Sequence, residues 1–363
     1  MKINSIKDLI DALERLGEPE DGYTRFFRGH SNAAKYKLEP SIYREENKYY
    51  YNEDNIIRDA IINNPDEFSD EDTLFDTLVK LQHYGYPTRL LDLTSNPLVA
   101  AYFTVCNLDN HGEIIIFDIP NDDIKYFDSD TVSVLSAISL RKHTFSIDTH
   151  FITLKAKVLC EKANFISIVN ENFKLTEDSN RLKSEIEKHF SSELELPYTI
   201  KLVEDFEKEV ESADLGTTDD KEEKVYKNRL KEIEDISYTK GFNNTPEISK
   251  LLHDIRKDKP GFRPIINKTD LEKVICVKPK LNNKRIIRQQ GCFLLFGING
   301  EKTLKTNVNE NWIRKDLNNR KFIIPKKRKK HILNDLKNFG ISHNTLFPEL
   351  ESQAKEILEK YKK

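Results

Sequence analysis

The hydrophobic pattern of the chain changes character twice, and this limits the folds that the chain can adopt. Short apolar runs, typical of buried strands, lie on both sides of a highly charged middle. The runs are residues 24–29, 113–117, 274–277 and 292–296. In the middle, residues 181–259 are dominated by Glu, Lys and Asp, with sparse apolar residues at helical spacing. The pattern predicts an α+β protein with a charged helical insertion, which is a solvated surface or, alternatively, a docking site for a partner.

Length and net charge exclude few functions. With 363 residues the chain can form one large domain with an insertion, or two domains. Charged residues make up 33% of the chain, but the net charge is only −3. No overall attraction to nucleic acid or to an anionic membrane is therefore expected, and any such binding must depend on a local patch.

The cysteines and the start of the chain indicate the compartment. Cys106, Cys276 and Cys292 lie among apolar neighbours, which predicts small buried side chains rather than a disulfide framework. The first residues lack a signal-peptide pattern, and no run approaches the roughly 18 apolar residues of a membrane span. We expect a cytoplasmic protein without membrane contact.

Local patterns predict several helix ends. Ser5 and Asp8 form a capping pattern before an amphipathic run, and Asn96 can cap a helix that begins at Pro97. A final helix is predicted from residue 348, with Leu350, Ala354, Ile357 and Leu358 on one face.

Arg28 is the first candidate functional residue, because it follows two phenylalanines on a predicted inner strand. A buried guanidinium is costly unless a carboxylate or a bound anion neutralises it, and its planar fork suits phosphate. Gly29 would let a ligand approach the backbone closely. The alternative is a structural ion pair, such as Arg28 with Asp92.

Residues 81–94 place several polar side chains between apolar ones, unlike an ordinary surface loop. The polar members include Gln82, His83, Tyr84, Arg89, Asp92 and Thr94. The first three end a predicted helix, whose last turn can orient them toward a cleft. Arg89 can pair with Asp92, and a helix-end cap is the alternative role for His83.

Familiar catalytic motifs are missing from the sequence. It contains no Walker A loop, no G-x-G-x-x-G, no H-E-x-x-H and no G-x-S-x-G, and its histidines show no metal-binding spacing. No metal is therefore expected.

The polar motifs together resemble the FRG-domain family, which occurs mostly in bacteria and phages. The matching segments are FRGH at 27–30, LEPSIYR at 38–44, QHYGYPTRLLD at 82–92, NPLVAAYF at 96–103, RIIRQQGCF at 285–293, GIS at 340–342 and LFPEL at 346–350. The resemblance covers roughly residues 20–145 and 272–360. It divides the chain into residues 1–160 as the N-terminal part of the FRG domain, 161–264 as the charged insertion, and 265–363 as the part that completes the domain.

The order of these motifs is similar to that of ADP-ribosyltransferases, which implies a mixed or antiparallel sheet flanked by helices. By this resemblance Arg28 would hold the phosphates of NAD, and Thr94 and Ser95 would occupy the serine/threonine strand. Gln290 stands where the catalytic glutamate is expected. A glutamine cannot take a proton or stabilise oxocarbenium charge as a carboxylate does. Either Asp92 or, less favourably, Glu113 supplies the carboxylate, or the site binds without reacting.

The resemblance thus implies an NAD-using transferase or glycohydrolase that acts as a toxin or antiphage effector. The expected NAD-binding residues are Arg28, Gly29, Gln82, Tyr84, Arg89, Thr94 and Ser95, and the expected catalytic residues are Asp92, Gln290 and His83.

The alternative function is a module that binds a nucleotide or nucleic acid without turnover. Its candidate surface is the basic run Lys326, Lys327, Arg328, Lys329 and Lys330, which would contact phosphates well. The competing explanation is a solvated edge in a lysine-rich protein.

Overall fold

The computed structural model describes residues 1–69, 71–148, 151–188 and 196–349, with the single residues 354, 358 and 361. Leu350 and Ile357 of the predicted final helix lie outside the described residues.

The helices follow the chain in this order: α1 (Ile6–Leu16), α2 (Glu53–Asn63), α3 (Leu74–His83), α4 (Pro97–Val105), α5 (Asp130–Ala137), α6 (Phe151–Val169), α7 (Glu177–Lys188), α8 (Leu196–Glu211), α9 (Asp220–Asn243), α10 (Pro246–Asp258), α11 (Lys268–Leu271), α12 (Lys284–Gln289), α13 (Lys326–Asn338) and α14 (His343–Leu346). The strands are β1 (Tyr23–His30), β2 (Leu90–Thr94), β3 (Gly112–Pro120), β4 (Ile124–Tyr126), β5 (Val274–Lys278), β6 (Gly291–Phe296), β7 (Ile298–Asn299), β8 (Glu301–Lys305), β9 (Ile313–Arg314) and β10 (Phe322–Ile324).

The predicted α+β class is confirmed, and the chain forms two compact units. The first contains Met1–Ser139, Lys273–Gly297 and the residues from Lys305 onward. The second contains Leu140–Glu272 and Ile298–Leu304.

A single mixed sheet organises the first unit. Its strand order is β10-β3-β1-β2-β6-β5-β4, with β9 also paired to β3. All pairings are antiparallel except that of β4 with β5. The strands β5 and β6 come late in the chain, yet both are interior strands of the sheet. β6 pairs with the early strand β2, so the early and late segments build one sheet.

Both faces of this sheet are buried, which explains why its strands read as continuous apolar runs. On one face α1, α4 and α13 cover Phe27, Ile116 and Phe322. On the other, Phe26 and Phe117 join the core. Neighbouring residues of a strand point to opposite faces, so Phe26 and Phe27 belong to different cores.

The predicted helix starts at Ser5 and Asn96 are confirmed, whereas Pro348 and Glu349, at the predicted start of the final helix, are not helical. The Ser5 hydroxyl accepts a hydrogen bond from the Asp8 amide at 3.2 Å, and the Asp8 carboxylate accepts one from the Asn4 amide at 2.7 Å. The Asn96 side chain accepts from the Leu98 amide at 2.9 Å, with Pro97 at the first helical position. These caps satisfy amides that the helices leave without partners.

The second unit is built from helices α6 to α11, which confirms the helical character of the charged middle. Its core joins α6, α7 and α8 through residues such as Ile166, Leu182 and Phe206. This unit begins at Leu140, and the division of the chain at residues 160 and 264 stays a prediction from the resemblance.

Cysteine burial is only partly as expected. Cys276 and Cys292 are buried, but Cys106 is exposed, so the prediction for Cys106 is wrong. It follows the last turn of α4, where the chain leaves the core. In the part of the chain that the structure describes, no helix is both long and apolar enough to cross a membrane.

Gly29 is required by the contact between β1 and α4. A methyl group at this position would overlap the Ala100 carbonyl oxygen and stand 2.7 Å from the Thr104 amide nitrogen. Gly29 thus lets helix α4 approach the strand closely, whereas the sequence suggested the close approach of a ligand.

Replacing Gly29 with alanine should therefore destabilise the protein by about 1–3 kcal/mol, because strand and helix must move apart. Gly261→Ala is the matched control, since no atom lies within 4 Å of the added methyl group, and its effect should stay within about 0.5 kcal/mol. Urea unfolding of both variants measures the difference, and equal stabilities would contradict this account of the contact.

Candidate functional site

Strands β1 and β2 separate after a single register pair. They meet only at Phe27 and Thr94, whereas β1 pairs with β3 over eight positions and β2 pairs with β6 over five. Beyond that pair, Arg28 on β1 and Asp92 on β2 border a gap in the sheet. Backbone groups that face such a gap lose their ladder partners and need others.

Arg28 bridges this gap with its guanidinium. Its Nη1 donates to the backbone oxygen of Asp92 and lies 3.8 Å from the Asp92 Oδ2 atom. Its Nε donates to His30 Nε2 at 3.1 Å. The side chain is only 15% exposed, and burial lowers the pKa of the guanidinium, which Asp92 opposes and Arg44 reinforces. The cation is thus placed in a poorly solvated position with one loosely held carboxylate.

A hydrogen-bonded chain orients the Asp92 carboxylate. Gln82 Nε2 donates to Asp92 Oδ1 at 2.9 Å, and Gln82 Oε1 accepts from the Thr88 hydroxyl. Thr88 is itself tied to Ser41, whose hydroxyl accepts from the Thr88 amide at 3.1 Å. Asp92 remains 62% exposed, so its carboxylate is oriented but accessible.

A pocket of about 560 Å³ opens at this gap. Its lining includes Arg28, Gly29, Asp92 and Thr94 from the predicted site. Further lining residues are His30, Tyr36, Lys37, Arg44, Arg285 and Gln289. The structure therefore brings together the three segments around Arg28, Asp92 and the Gln289–Gln290 pair.

Gln290 was the expected site residue, but of the two neighbouring glutamines it is Gln289 that lines the pocket. Gln289 lines the pocket, while Gln290 has a left-handed backbone, with φ of 48°, and ends α12 on the surface. Ser95 Oγ donates to Gln290 Oε1 at 3.4 Å. The Thr94 hydroxyl donates to the Gln289 carbonyl at 2.7 Å, so its hydrogen is committed to the scaffold.

His83 and Tyr84 do not line the pocket. His83 Nε2 lies 3.3 Å from Glu349 Oε1, and burial, followed by the charge of Arg285, lowers the pKa of His83, which Glu349 opposes. The Tyr84 hydroxyl donates to Glu67 at 3.2 Å on the surface. Of the three residues at the end of α3, only Gln82 reaches the site, and it does so through Asp92.

The suggested pairing of Arg89 with Asp92 is wrong. Arg89 is fully buried, and its Nε donates to Glu53 Oε1 at 2.9 Å while its Nη1 donates to the Phe296 carbonyl at 3.0 Å. Arg89 directly precedes β2 and is three positions from Asp92, so by the alternation of a strand the two side chains point to opposite faces. In the structure its cation is an anchor between α2 and the sheet.

His30 is a site residue that sequence reasoning missed. It is 3% exposed, and burial, followed by the charge of Arg28, lowers its pKa to about 3, so the ring is neutral. Because Nε2 accepts from Arg28, the ring proton must be on Nδ1. Among the described residues, no atom accepts a hydrogen bond from His30 Nδ1. The alternation of a strand could have identified it, since residues 28 and 30 share a face.

The basic run is interrupted in the structure. Lys326, Lys327, Arg328 and Lys330 are exposed in the first turns of α13, but Lys329 is buried. Its amine donates to the Ser31 and Asn107 carbonyls, each at 2.7 Å, and burial lowers the pKa of Lys329. Lys329 therefore cannot contribute to a phosphate-binding surface.

Comparison with known families supports the resemblance noted in the motifs. Residues 24–113 match the family model of the FRG domain, so the chain contains an FRG domain. This segment runs from β1 into β3 and supplies Arg28, Asp92 and Thr94 of the pocket. No curated protein and no solved structure matches the chain, so the similarity to ADP-ribosyltransferases stays a prediction from motif order.

Removing one partner of the Arg89–Glu53 pair should leave an unpaired buried charge. We expect Arg89→Met to lower the free energy of unfolding by about 3–5 kcal/mol, and Arg89→Met with Glu53→Leu to recover part of that loss. Arg58→Met is the control, because the Arg58–Asp54 pair is half-exposed and should contribute at most about 1 kcal/mol. A loss at Arg89 no larger than at Arg58, in denaturant unfolding, would contradict the anchoring role.

Proposed function

We propose that the pocket at Arg28 binds NAD and that the protein breaks the bond between nicotinamide and ribose. The observation that carries this proposal is the Arg28 guanidinium itself. It is largely buried, it lines a pocket, and its nearest carboxylate oxygen is 3.8 Å away. A phosphate that accepts two hydrogen bonds from the guanidinium would offset its desolvation better than this carboxylate does.

Neighbouring charges support an anionic ligand. Arg44 and Lys37 line the same pocket and, in the described part of the chain, neither forms an ion pair with a carboxylate, although Glu39, Glu45 and Glu46 also line the pocket and Glu46 pairs with Lys35. The positive charge of Arg44 adds to that of Arg28, so an anion between them would be favoured by both. The choice of NAD among phosphate-bearing ligands rests on the motif order described above.

Asp92 is the carboxylate best placed for chemistry. When the C–N glycosidic bond breaks, its electron pair leaves with nicotinamide, and positive charge develops on the ribose. Asp92 lines the pocket and is oriented by Gln82, so it can stabilise that charge and accept the proton of an attacking water or other nucleophile. This role takes the place of the glutamate expected at Gln290. Consumption of NAD in this way would suit a toxin or antiphage effector.

Nicotinamide release from NAD by the purified protein tests this function. We expect Asp92→Asn to lower kcat by roughly 10²–10³, because charge stabilisation is lost, and Arg28→Lys to raise KM about tenfold, because the paired hydrogen bonds are lost. Arg25→Lys is the matched control on the same strand: its guanidinium pairs with Asp118 at 2.6 and 2.8 Å and does not line the pocket. Release that is unchanged in both site variants would rule out this function.

A second candidate function is phosphate-backbone binding by the exposed part of the basic run. The observation in its favour is that four like charges project from the first turns of α13, where the helix dipole disfavours cations. A bound polyanion would relieve that repulsion.

Binding to duplex DNA should therefore weaken when Lys326, Lys327, Arg328 and Lys330 are changed to Gln, and its salt dependence should fall. The slope of log K against log salt should drop by up to roughly three to four. Changing Lys221, Lys224, Lys227 and Lys231 to Gln removes the same charge from exposed positions of α9 and is the control. Equal effects of the two sets in a fluorescence titration would exclude a specific surface on α13.

A further inference from the structure

The pocket at Arg28 adjoins a second, larger one. The second pocket, of about 930 Å³, is lined by residues of β3, β9 and the loop that follows β1. His30, Tyr36 and Lys37 line both pockets and therefore form the boundary between them. A ligand that extends beyond the first pocket must pass these three residues.

His30 holds an unsatisfied donor at that boundary. Its Nε2 is used by Arg28, and its Nδ1 has no hydrogen-bond partner in the described part of the chain. The ring contacts Tyr36 edge-on, with centroids 6.0 Å apart, which does not satisfy an N–H group. An unpaired buried donor costs about 1–3 kcal/mol, and native proteins seldom keep one without a reason.

The surrounding charges define what this donor can bind. Burial, followed by the charges of Arg28, Lys321 and Arg44, lowers the pKa of His30 and keeps the ring neutral, and these three cations also repel a cationic ligand group. A neutral ring offers one fixed N–H and no further charge. Its natural partner is an oxygen atom of the ligand, either a phosphate oxygen or a hydroxyl.

Two of the four cations that line the second pocket, Lys321 and Arg314, are paired with a carboxylate, and Glu310 and Asp316 add further acidic groups to its lining. Lys321 lies 3.1 Å from Glu113, and Arg314 lies 3.3 Å from Asp118. Its lining also includes the amides of Asn311 and Asn319. This lining suits an uncharged part that is rich in hydroxyl groups better than a second phosphate cluster.

We infer that His30 is a ligand-binding residue whose Nδ1–H donates to a ligand that spans both pockets, with one ribose beside Asp92, phosphate at Arg28 and a second sugar in the second pocket. This inference rests on the proposed function, and it specifies the ligand class as ADP-ribose or a larger derivative, as opposed to a mononucleotide.

Two substitutions separate a ligand contact from mere support of Arg28. In His30→Gln the amide oxygen can take the place of Nε2 and accept from Arg28, but the Nδ1 donor is lost. In His30→Asn the amide nitrogen can take the place of Nδ1, but the acceptor for Arg28 is lost. We expect calorimetry with ADP-ribose to show affinities in the order wild type, then Asn, then Gln, with a roughly 3- to 10-fold loss for Gln. The reverse order, with Gln at or above Asn, would overturn the inference.

A third variant tests the span independently of His30. Ala34 is exposed and lines only the second pocket, so Ala34→Trp should obstruct that pocket without disturbing the core. We expect it to weaken ADP-ribose binding at least fivefold and to leave the binding of ribose 5-phosphate, which fits the first pocket alone, within twofold. Equal effects on the two ligands, or no effect on ADP-ribose, would overturn the inference.

The two proposals fail in different ways. If the wild-type protein bound neither ADP-ribose nor ribose 5-phosphate, the proposed function and this inference would both be overturned. If both ligands bound and Arg28→Lys weakened both, while the His30 variants gave the reverse order, only the inference would be overturned.

Discussion

The separation of β1 from β2 is the constraint on which the site depends. After Phe27 meets Thr94, the two strands no longer exchange hydrogen bonds, and the Arg28 guanidinium donates to the Asp92 backbone oxygen across the gap. An arginine can span this distance and still present the rest of its fork to a pocket, because it carries five donors. The same side chain thus closes a defect in the sheet and provides a buried cation. A ligand anion would compete with Asp92 for the guanidinium without removing the backbone contact.

The polar motifs of the FRG domain divide into a scaffold and a pocket. Arg89 and Glu53 form a buried pair that ties α2 to the sheet, and the Ser41 hydroxyl bonds to the Thr88 backbone, which joins the motifs at 38–44 and 82–92. The scaffold leads directly to the pocket, because Thr88 orients Gln82 and Gln82 orients Asp92. Polar residues inside apolar segments therefore do not all mark ligand contacts. Several of them fix the geometry that such contacts require.

Much of the fold was predictable from the sequence, because it depends on local rules. The caps at Ser5 and Asn96, the apolar strands and the helical middle follow from spacing within short windows. The partner of Arg89 was not predictable, since Glu53 lies 36 residues earlier and no local pattern joins them. Two residues were misjudged although the sequence carried a signal for each: Lys329 was counted in the phosphate-binding run, and His30 was not named as a site residue. Lys329 shares a helical face with the buried Ile332 and Leu336, and residues 28 and 30 share a strand face. The turn at Gln290, which places Gln289 at the pocket, depends on a left-handed residue that the sequence does not reveal.

The central claim is that Arg28 holds the phosphate of a nucleotide at the gap between β1 and β2. A crystal structure of the protein grown with ADP-ribose tests this claim most directly. The account predicts phosphate oxygens within about 3.2 Å of the Arg28 guanidinium, a normal hydrogen-bonding distance, while Nη1 still contacts the Asp92 carbonyl. An ordered nucleotide bound elsewhere, with Arg28 contacting only Asp92 and His30, would contradict it.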